Sequence, residues 1–169
     1  MTSILKVDSI QNAAGTAAMT IDSSGNLITP NQSVFRVSLN NHQTISNNTN
    51  TLVAFDTVTF DPNSWWNNTT KQFLPTIAGY YCSQVSLRWN SSDDWDIADV
   101  YFYKNNDIMQ AASLRNERFE TIVLTSLVYL NGSGDYLKVN AQQNSGSDKQ
   151  IRGTSTGADT NFSSFKVLG

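Results

Sequence analysis

The residues able to perform acid–base chemistry are few and lie in polar stretches without a recognisable catalytic motif. The single histidine, His42, sits in the loop-like segment LNNHQTISNN, and no nucleophile or orienting acid at a known spacing accompanies it. Two glutamates, Glu117 and Glu120, alternate with two arginines, a pattern that favours surface or interface ion pairs over an acid–base pair. We therefore predict no catalytic residues and no enzymatic activity.

Three aspartates close together are the best candidates for a metal site, because calcium binds several oxygen ligands at once. They are Asp93, Asp94 and Asp96 in the stretch SSDDWD. The stretch lacks the spacing and the glycine of a calcium-binding loop, so a solvated turn is the favoured interpretation. The single cysteine, Cys82, lies in the apolar run GYYCSQVSLRW and is expected to be a small buried residue rather than a reactive thiol. We predict no metal and no cofactor.

Two adjacent tryptophans, Trp65 and Trp66, are the residues best suited to contact a ligand. The face of an indole ring is apolar and can stack on a sugar ring. Packing in a core or an interface is the commoner fate of such residues, so both alternatives stay open.

The composition limits the classes of partner. Charged residues make up 15% of the 169 residues, against roughly 25% in average soluble proteins, and the formal net charge is −3. A chain without a basic field attracts neither nucleic acid nor an anionic membrane surface. No apolar window reaches the length of a membrane span, and the start MTSILKVD lacks the features of a secretory signal. We therefore expect synthesis in a cytoplasm and no membrane insertion.

From Val34 onward, short runs rich in β-branched and aromatic residues recur between clusters of Asn, Gly, Ser and Asp. The runs are SVFRVSL, TLVAFDTVTF, KQFLPTIAGYYCSQVSLRW, ADVYFYKNN, RFETIVLTSLVYLN, DYLKVNAQQN and NFSSFKVLG. This pattern predicts an all-β sandwich or barrel. The stretch DIMQAASLRNERFE at 107–120 is the best helical candidate, but we interpret it as a strand, a turn at 115–117 and a second strand. No internal repeat is evident.

Two of these runs show what their alternation implies. In VYFYKNN, Val100 and Phe102 share one face and two tyrosines share the other, so both faces are expected to be covered. In DYLKVNAQ, positions 137, 139 and 141 are apolar and the alternate positions are polar. That arrangement predicts one core face and one face that is solvated or at an interface.

The first thirty residues have a different character. Apolar and polar residues alternate, with breaks at Gly15, at SSGN in positions 23–26 and at Pro30, which predicts two or three short strands rather than a helix. Such a segment is too short and too lightly apolar to bury a core of its own. We expect residues 1–32 to be a docking or trimerisation segment and residues 33–169 to be a head domain. The residues expected to make the docking contacts are Ile4, Leu5, Val7, Ile10, Met19, Ile21 and Leu27.

Several motifs in the head resemble those of the globular head of complement C1q, which shares its jelly-roll fold with the tumour necrosis factor proteins. That family has a phenylalanine, a spacer, a glycine, any residue and a tyrosine, and later a leucine strand, a Gly-Asp turn, alternating apolar residues and a closing strand with phenylalanine. The matching residues are Phe55, Phe73, Pro75, Gly79, Tyr81, Leu130, Gly134, Asp135, Leu137, Val139, Phe162 and Phe165. The motifs occur in the family's order over residues 34–169, without a collagen stalk.

The opening stretch ILKVDSIQNAAGTAAMTIDSSGNL resembles segments of fibre and appendage proteins of tailed bacteriophages, especially marine and cyanobacterial ones. There such a segment commonly precedes a small β-rich tip domain. Together the two resemblances imply a virion protein with a trimeric head, made in the host cytoplasm and exposed on the particle surface.

The resemblances also imply partners and contact residues. The expected partners are two further copies of the chain and other virion proteins of the capsid or tail. Aromatic residues bury large areas at a small entropic cost, so they are expected in the trimer interface or in the core beside it. These residues are Phe73, Tyr81, Tyr101, Tyr103, Phe119, Tyr129, Phe162 and Phe165. The alternative is a tip that attaches to a host glycan or receptor, with Trp65 and Trp66 as ligand contacts.

Overall fold

The computed structural model describes residues 7–29, 33–90, 97–115 and 121–168. Its backbone divides into two compact units, Met1–Ser33 and Val34–Gly169. Every regular element in the described ranges is a β-strand, which confirms the predicted all-β class. No helix in these ranges is long and apolar enough to cross a membrane.

The first unit is an antiparallel three-stranded sheet of β1 (Ser9–Gln11), β2 (Ala17–Ile21) and β3 (Leu27–Ile28). The turn between β1 and β2 and the turn between β2 and β3 have the same hydrogen-bond geometry. Asn12 Oδ1 accepts hydrogen bonds from two backbone amides of its turn, and Asp22 Oδ1 does the same in the next. Each turn has a glycine in the left-handed region, Gly15 at φ 83° and Gly25 at φ 82°. The turn predicted at SSGN is confirmed, and the turn at Asn12 has the same hydrogen-bond pattern.

The second unit, which we call the head, contains all the remaining strands. They are β4 (Val34–Ser38), β5 (Gln43–Ile45), β6 (Thr51–Leu52), β7 (Thr57–Phe60), β8 (Trp66–Asn67), β9 (Gln72–Phe73), β10 (Gly79–Arg88), β11 (Ala98–Lys104), β12 (Asp107–Leu114), β13 (Thr121–Leu130), β14 (Leu137–Gln143), β15 (Lys149–Ile151) and β16 (Asn161–Leu168). A five-stranded sheet has the order β13-β10-β16-β4-β7, and a six-stranded sheet has the order β12-β11-β14-β9-β8. β6 pairs with β14, and β15 pairs with β5 in a separate two-stranded sheet.

Most of the predicted runs form strands, but two of them each contain two strands that lie in different sheets. The run KQFLPTIAGYYCSQVSLRW forms β9 in the six-stranded sheet and β10 in the five-stranded sheet. The run TLVAFDTVTF forms two strands in different sheets, β6 and β7. The chain crosses between sheets inside the run, because Val53 N donates to Val139 O while Asp56 N donates to Ser38 O. The short strands β5, β8 and β15 were not predicted, since two or three residues carry no readable alternation.

The core of the head lies between the inner faces of the two sheets. In β10, Tyr81, Ser83, Val85 and Leu87 are buried, while their neighbours on the strand are not. In β14, positions 137, 139 and 141 are buried, as the alternation predicted. The centre of the core is a cluster of aromatic rings, in which Phe35 stacks on Phe73 with ring centroids 4.6 Å apart. Offset and edge-on ring pairs contribute about 0.5–1.5 kcal/mol beyond the area they bury.

The turn between β13 and β14 contains a glycine that close packing requires. Gly132 has φ 67°, and a Cβ at this position would lie 2.5 Å from the backbone nitrogen of Ala78. We expect Gly132→Ala to lower the free energy of unfolding by about 2–4 kcal/mol, because a backbone contact cannot move aside cheaply. Denaturant unfolding of the full chain measures this loss.

Gly134, in the same turn, supplies a matched control. It has φ 115°, and nothing lies within 4 Å of the position its Cβ would occupy. Gly134→Ala should therefore lose only the backbone strain, about 1–2 kcal/mol. Because φ 115° lies farther from the left-handed minimum than φ 67°, the excess loss of Gly132→Ala over Gly134→Ala is a lower limit for the cost of the contact with Ala78. A loss below about 1 kcal/mol for Gly132→Ala would contradict the close packing.

Candidate assembly face

The outer face of the five-stranded sheet carries many exposed apolar side chains. On β13, Val123 is 54% exposed, Leu127 is 62% exposed and Tyr129 is 47% exposed. The alternate residues of the same strand, Ile122 and Leu124 among them, are buried in the core. β13 is therefore apolar on both faces, although only one of them meets the core of its own chain. Contiguous exposed apolar surface of this kind marks interaction sites in soluble proteins.

Strand register joins these side chains into one band across the sheet. Cys82 on β10 lies opposite Leu127 on β13 and opposite Phe165 on β16, and Phe165 lies opposite Val34 on β4. Side chains directly opposite on one face of an antiparallel pair are in contact range. We call the row Leu127, Cys82, Phe165 and Val34, with the neighbouring pair Tyr80 and Tyr129, the assembly face.

The tyrosine pair extends the band toward one end of the sheet. The rings of Tyr80 and Tyr129 meet edge-on with centroids 5.4 Å apart, and both residues are close to half exposed. Cys82 is only partly buried here, which corrects the prediction of a buried cysteine. Its strand alternates so that Tyr81 and Ser83 occupy the core positions.

The opposite end of the same sheet face is polar. Gln84 lies opposite Thr125 and Ser163, and Arg88 continues the strand beyond them. At this end Asp159 forms salt bridges with two arginines, and its carboxylate oxygens lie 2.7 Å from Arg88 Nη1 and 2.9 Å from Arg152 Nε. The apolar area is thus concentrated in part of the sheet face, and Val123, opposite Ser86, is an exposed apolar exception within the polar end.

The structure places the predicted interface and core residues in three environments. Phe73, Tyr81 and Phe162 are buried in the core of the head. Tyr129 and Phe165 are exposed on the outer face of the five-stranded sheet, the latter by 46%. The remaining two described residues, Tyr101 and Tyr103, are half-buried on the outer face of the six-stranded sheet, and Phe119 lies outside the described residues.

Both tyrosines of the six-stranded sheet are partly exposed, so one chain covers only one face of β11. The prediction that both faces are covered is therefore not met within a single chain. Tyr101 donates its hydroxyl hydrogen to Asp99 Oδ2 at 2.9 Å. Burial, followed by the nearby Asp99 carboxylate, raises the pKa of Tyr101 to about 12, so the phenol stays neutral at physiological pH.

The two tryptophans pack into the head. Trp65 is 5% exposed, its ring meets those of Phe73 and Tyr81 edge-on, and its Nε1 donates to Thr76 Oγ1 at 3.1 Å. Trp66 is partly buried against Phe35 and Phe55. Core packing is therefore the alternative that the structure shows for this pair.

The predicted docking residues that the structure describes lie on the small sheet of the first unit. Ile10 pairs with Met19, and Ile21 pairs with Leu27. Because Met19 and Ile21 are two residues apart on one strand, all four side chains share a face. Leu27 is 61% exposed and Val7 is 37% exposed, while Ile4 and Leu5 lie outside the described residues.

The residues considered for chemistry do not form a catalytic or metal cluster within the described ranges. His42 is exposed at the loop before β5. No group of three His, Cys, Asp or Glu side chains in these ranges is close enough to hold a metal ion. The aspartates at 93, 94 and 96 and the glutamates at 117 and 120 lie outside them.

The motif residues of the head have structural roles. Tyr81 donates its hydroxyl hydrogen to Ile77 O at 2.7 Å from within the core. In the turn after β13, Asp135 accepts hydrogen bonds from Asn105 Nδ2 at 3.0 Å and from Asn131 N at 3.0 Å. The Asn105 contact, with a further one from Lys104, holds the pKa of Asp135 below its usual value.

Solved structures share this architecture. Eiger TNF from S. frugiperda superposes with a TM-score of 0.60 at 12% identity, over 81% of this chain and 93% of that one. The head is a C1q/TNF-like jelly roll. Murine APRIL at pH 5.0 gives a TM-score of 0.62 at 11% identity over 80% of this chain and 99% of that one. The globular domain of zebrafish complement 1qA gives a TM-score of 0.56 at 14% identity, over 81% of this chain and 98% of that one.

No protein-family model and no curated protein sequence matches the chain. The jelly roll expected from the motif order is confirmed by the solved structures. In this jelly roll, the side chains of the assembly face that sequence reasoning missed are Leu127, Cys82, Tyr80 and Val34. The run TIVLTSLVYL could have indicated Leu127, because it has apolar residues at both odd-numbered and even-numbered positions and so presents apolar side chains on both faces of the strand.

Proposed function

We propose that this protein is a non-enzymatic structural protein of a bacteriophage particle, whose jelly-roll heads assemble as a homotrimer through the assembly face. The observation that carries the trimer is the continuous exposed row of Leu127, Cys82, Phe165 and Val34. A trimeric head is also what the resemblance to complement C1q and the tumour necrosis factor proteins implies. The phage context comes from the resemblance of the opening segment to fibre and appendage proteins.

The energetics favour association through this face. Removing apolar area from water contributes about 25 cal/mol per Å², and a stable interface buries on the order of 1,000 Å² or more. The assembly face crosses four adjacent strands and includes three aromatic rings and a leucine that is 62% exposed. The core of such an interface is depleted in charge, and the row contains no charged residue.

The opening segment is proposed to attach the trimer to the particle. The shared face of Ile10, Met19, Ile21 and Leu27 is apolar, and a two-turn sheet of this size cannot cover it. Three copies brought together by their heads can pack these faces against each other, or the sheet edge can pair with a strand of another virion protein. The protein would then be a short appendage or a capsid decoration protein at the particle surface.

Deleting residues 1–32 tests whether the opening segment attaches the protein to the particle and the head alone forms the trimer. We expect the remaining head to fold and to sediment as a trimer, because the core and the assembly face both belong to residues 34–169. The truncated trimer should be missing from purified particles assembled in its presence. Incorporation at the level of the full chain would contradict the docking role, and a monomeric head would contradict the assembly role.

A second candidate function is a tip that attaches to a host glycan or receptor. Trp65 and Trp66 do not favour it, because Trp65 is buried in the core and Trp66 is partly buried against it. The half-exposed tyrosines of the six-stranded sheet do favour it, since they lie on the opposite sheet from the assembly face.

A further inference from the structure

A second surface cluster lies on the outer face of the six-stranded sheet. Tyr101 on β11 pairs with Asn140 on β14, and Tyr103 pairs with Lys138. Asn50, just before β6, joins the same face through Asn140. We call these five residues the tyrosine–amide patch.

The aromatic part of the patch is held in place by its neighbours. The rings of Tyr101 and Tyr103 are inclined at 60° with centroids 6.3 Å apart. Lys138 Nζ lies 5.3 Å from the centroid of Tyr103, within the range of a cation–π interaction. All three side chains are partly exposed, so the rings are ordered without being sealed in the core.

Hydrogen bonds orient the polar part. Asn140 Nδ2 donates to Asn50 Oδ1 at 2.6 Å, and Asn50 Nδ2 donates to Tyr103 Oη at 2.7 Å. Because the Tyr103 oxygen is the acceptor in this chain, its hydroxyl hydrogen is left to donate outward. Asn50 is exposed, so the other hydrogen of its amide group is also accessible.

The chemistry of the patch differs from that of the assembly face. The assembly face presents leucine, valine, phenylalanine and cysteine beside one tyrosine pair, which suit another apolar protein surface. The tyrosine–amide patch presents ring faces, amides, a hydroxyl and one ammonium group. One exposed apolar side chain, Ile108, lies opposite Tyr103, but the remaining groups of the patch are amides, a hydroxyl and an ammonium, so it lacks the contiguous apolar row of the assembly face.

We propose that the tyrosine–amide patch binds a carbohydrate chain. A pyranose ring has an apolar face of C–H groups that stacks on a tyrosine ring, and a rim of hydroxyls that pair with amide and hydroxyl groups. The Tyr101 and Tyr103 rings supply the stacking surface, while Asn50, the Tyr103 hydroxyl and Lys138 supply the polar contacts. Orientation by the existing hydrogen bonds lowers the entropy lost on binding.

This inference deepens the second candidate function and is independent of the virion role. Assembly through the five-stranded sheet buries the opposite side of the head, so the patch stays open in the trimer. Trimerisation also presents three copies together, which strengthens weak individual contacts through multivalency. A failure of carbohydrate binding would leave the sedimentation result for the trimer untouched.

The test uses the full chain, labelled with a fluorophore, on a printed array of bacterial-surface and plant oligosaccharides. We expect saturable binding to at least one class of oligosaccharide, and at least a tenfold weaker apparent affinity for Tyr103→Ala. Tyr103→Phe keeps the ring and loses only the hydroxyl, so its affinity should fall between those of the other two proteins. His42→Ala, at an exposed loop position outside the patch, is the control and should bind like the parent protein.

The unfolding midpoint and sedimentation of each variant show that the head remains folded and assembled. The proposal is overturned if the parent protein binds no oligosaccharide saturably. It is equally overturned if Tyr103→Ala binds as tightly as His42→Ala does.

Discussion

We expect Leu127→Asp to convert the proposed trimer to a folded monomer. In one chain Leu127 is 62% exposed, so the aspartate is solvated and the head loses little stability. In the trimer the same carboxylate would enter an apolar interface without a partner, which costs several kcal/mol in each of three subunits, on the order of 3–5 kcal/mol apiece. Penalties of this size lower the association constant of the trimer by many orders of magnitude.

Sedimentation velocity in dilute buffer separates the two states, since one chain has a mass of 18.7 kDa. Ile108→Asp is the matched control, because Ile108 is 55% exposed but lies on β12 of the other sheet. That variant should sediment as the parent protein does. A parent protein that sediments as a single subunit, or a Leu127→Asp variant that remains a trimer, would overturn the assignment of the assembly face.

Local pattern was sufficient to predict most of the head. The strict alternation of GYYCSQVSLR made β10 recognisable, and the same alternation decides that Tyr81 is buried and Tyr80 exposed. This alternation depends on neighbours along the chain, which a sequence displays directly. The jelly roll was predicted instead from the resemblance to complement C1q, and the structure places the matching glycine and tyrosine, at 79 and 81, at the start of β10.

The assembly face could not be predicted in the same way, because it depends on register between distant strands. Nothing local indicates that Cys82 lies between Leu127 and Phe165, which belong to strands far away along the chain. The fate of Trp65 and Trp66 was undecided for the same reason. An indole that stacks on a sugar and one that packs on Phe73 have the same sequence signature, and only the packing of the core distinguishes them.

The equivalence of the two turns in the first unit was not predicted, for a different reason. The two turns begin with different residues, Asn12 and Asp22, and share only the glycine that follows each of them. The amide and the carboxylate each offer one oxygen to two backbone amides, so they are equivalent in structure although not in sequence. The two turns therefore share their hydrogen bonds and not their residues.

Phe162→Ala will produce the largest loss of stability that we expect from a single substitution in the head. Phe162 is fully buried on β16, the middle strand of the five-stranded sheet. Its ring lies 5.2 Å from that of Phe35 and 5.6 Å from that of Phe102, so it connects aromatic residues of both sheets. Truncation of a buried phenylalanine costs about 3–5 kcal/mol, a large part of the about 5–15 kcal/mol that holds a typical domain folded.

Phe165→Ala, on the same strand, separates core packing from assembly. Phe165 is 46% exposed on the assembly face, so its loss should weaken the trimer while changing the stability of a single head by less than about 1 kcal/mol. Both substitutions are therefore compared by denaturant unfolding in the monomeric Leu127→Asp background, where association contributes nothing. If Phe165→Ala destabilises that monomer as much as Phe162→Ala does, Phe165 belongs to the folding core and the assembly face loses one of its central residues.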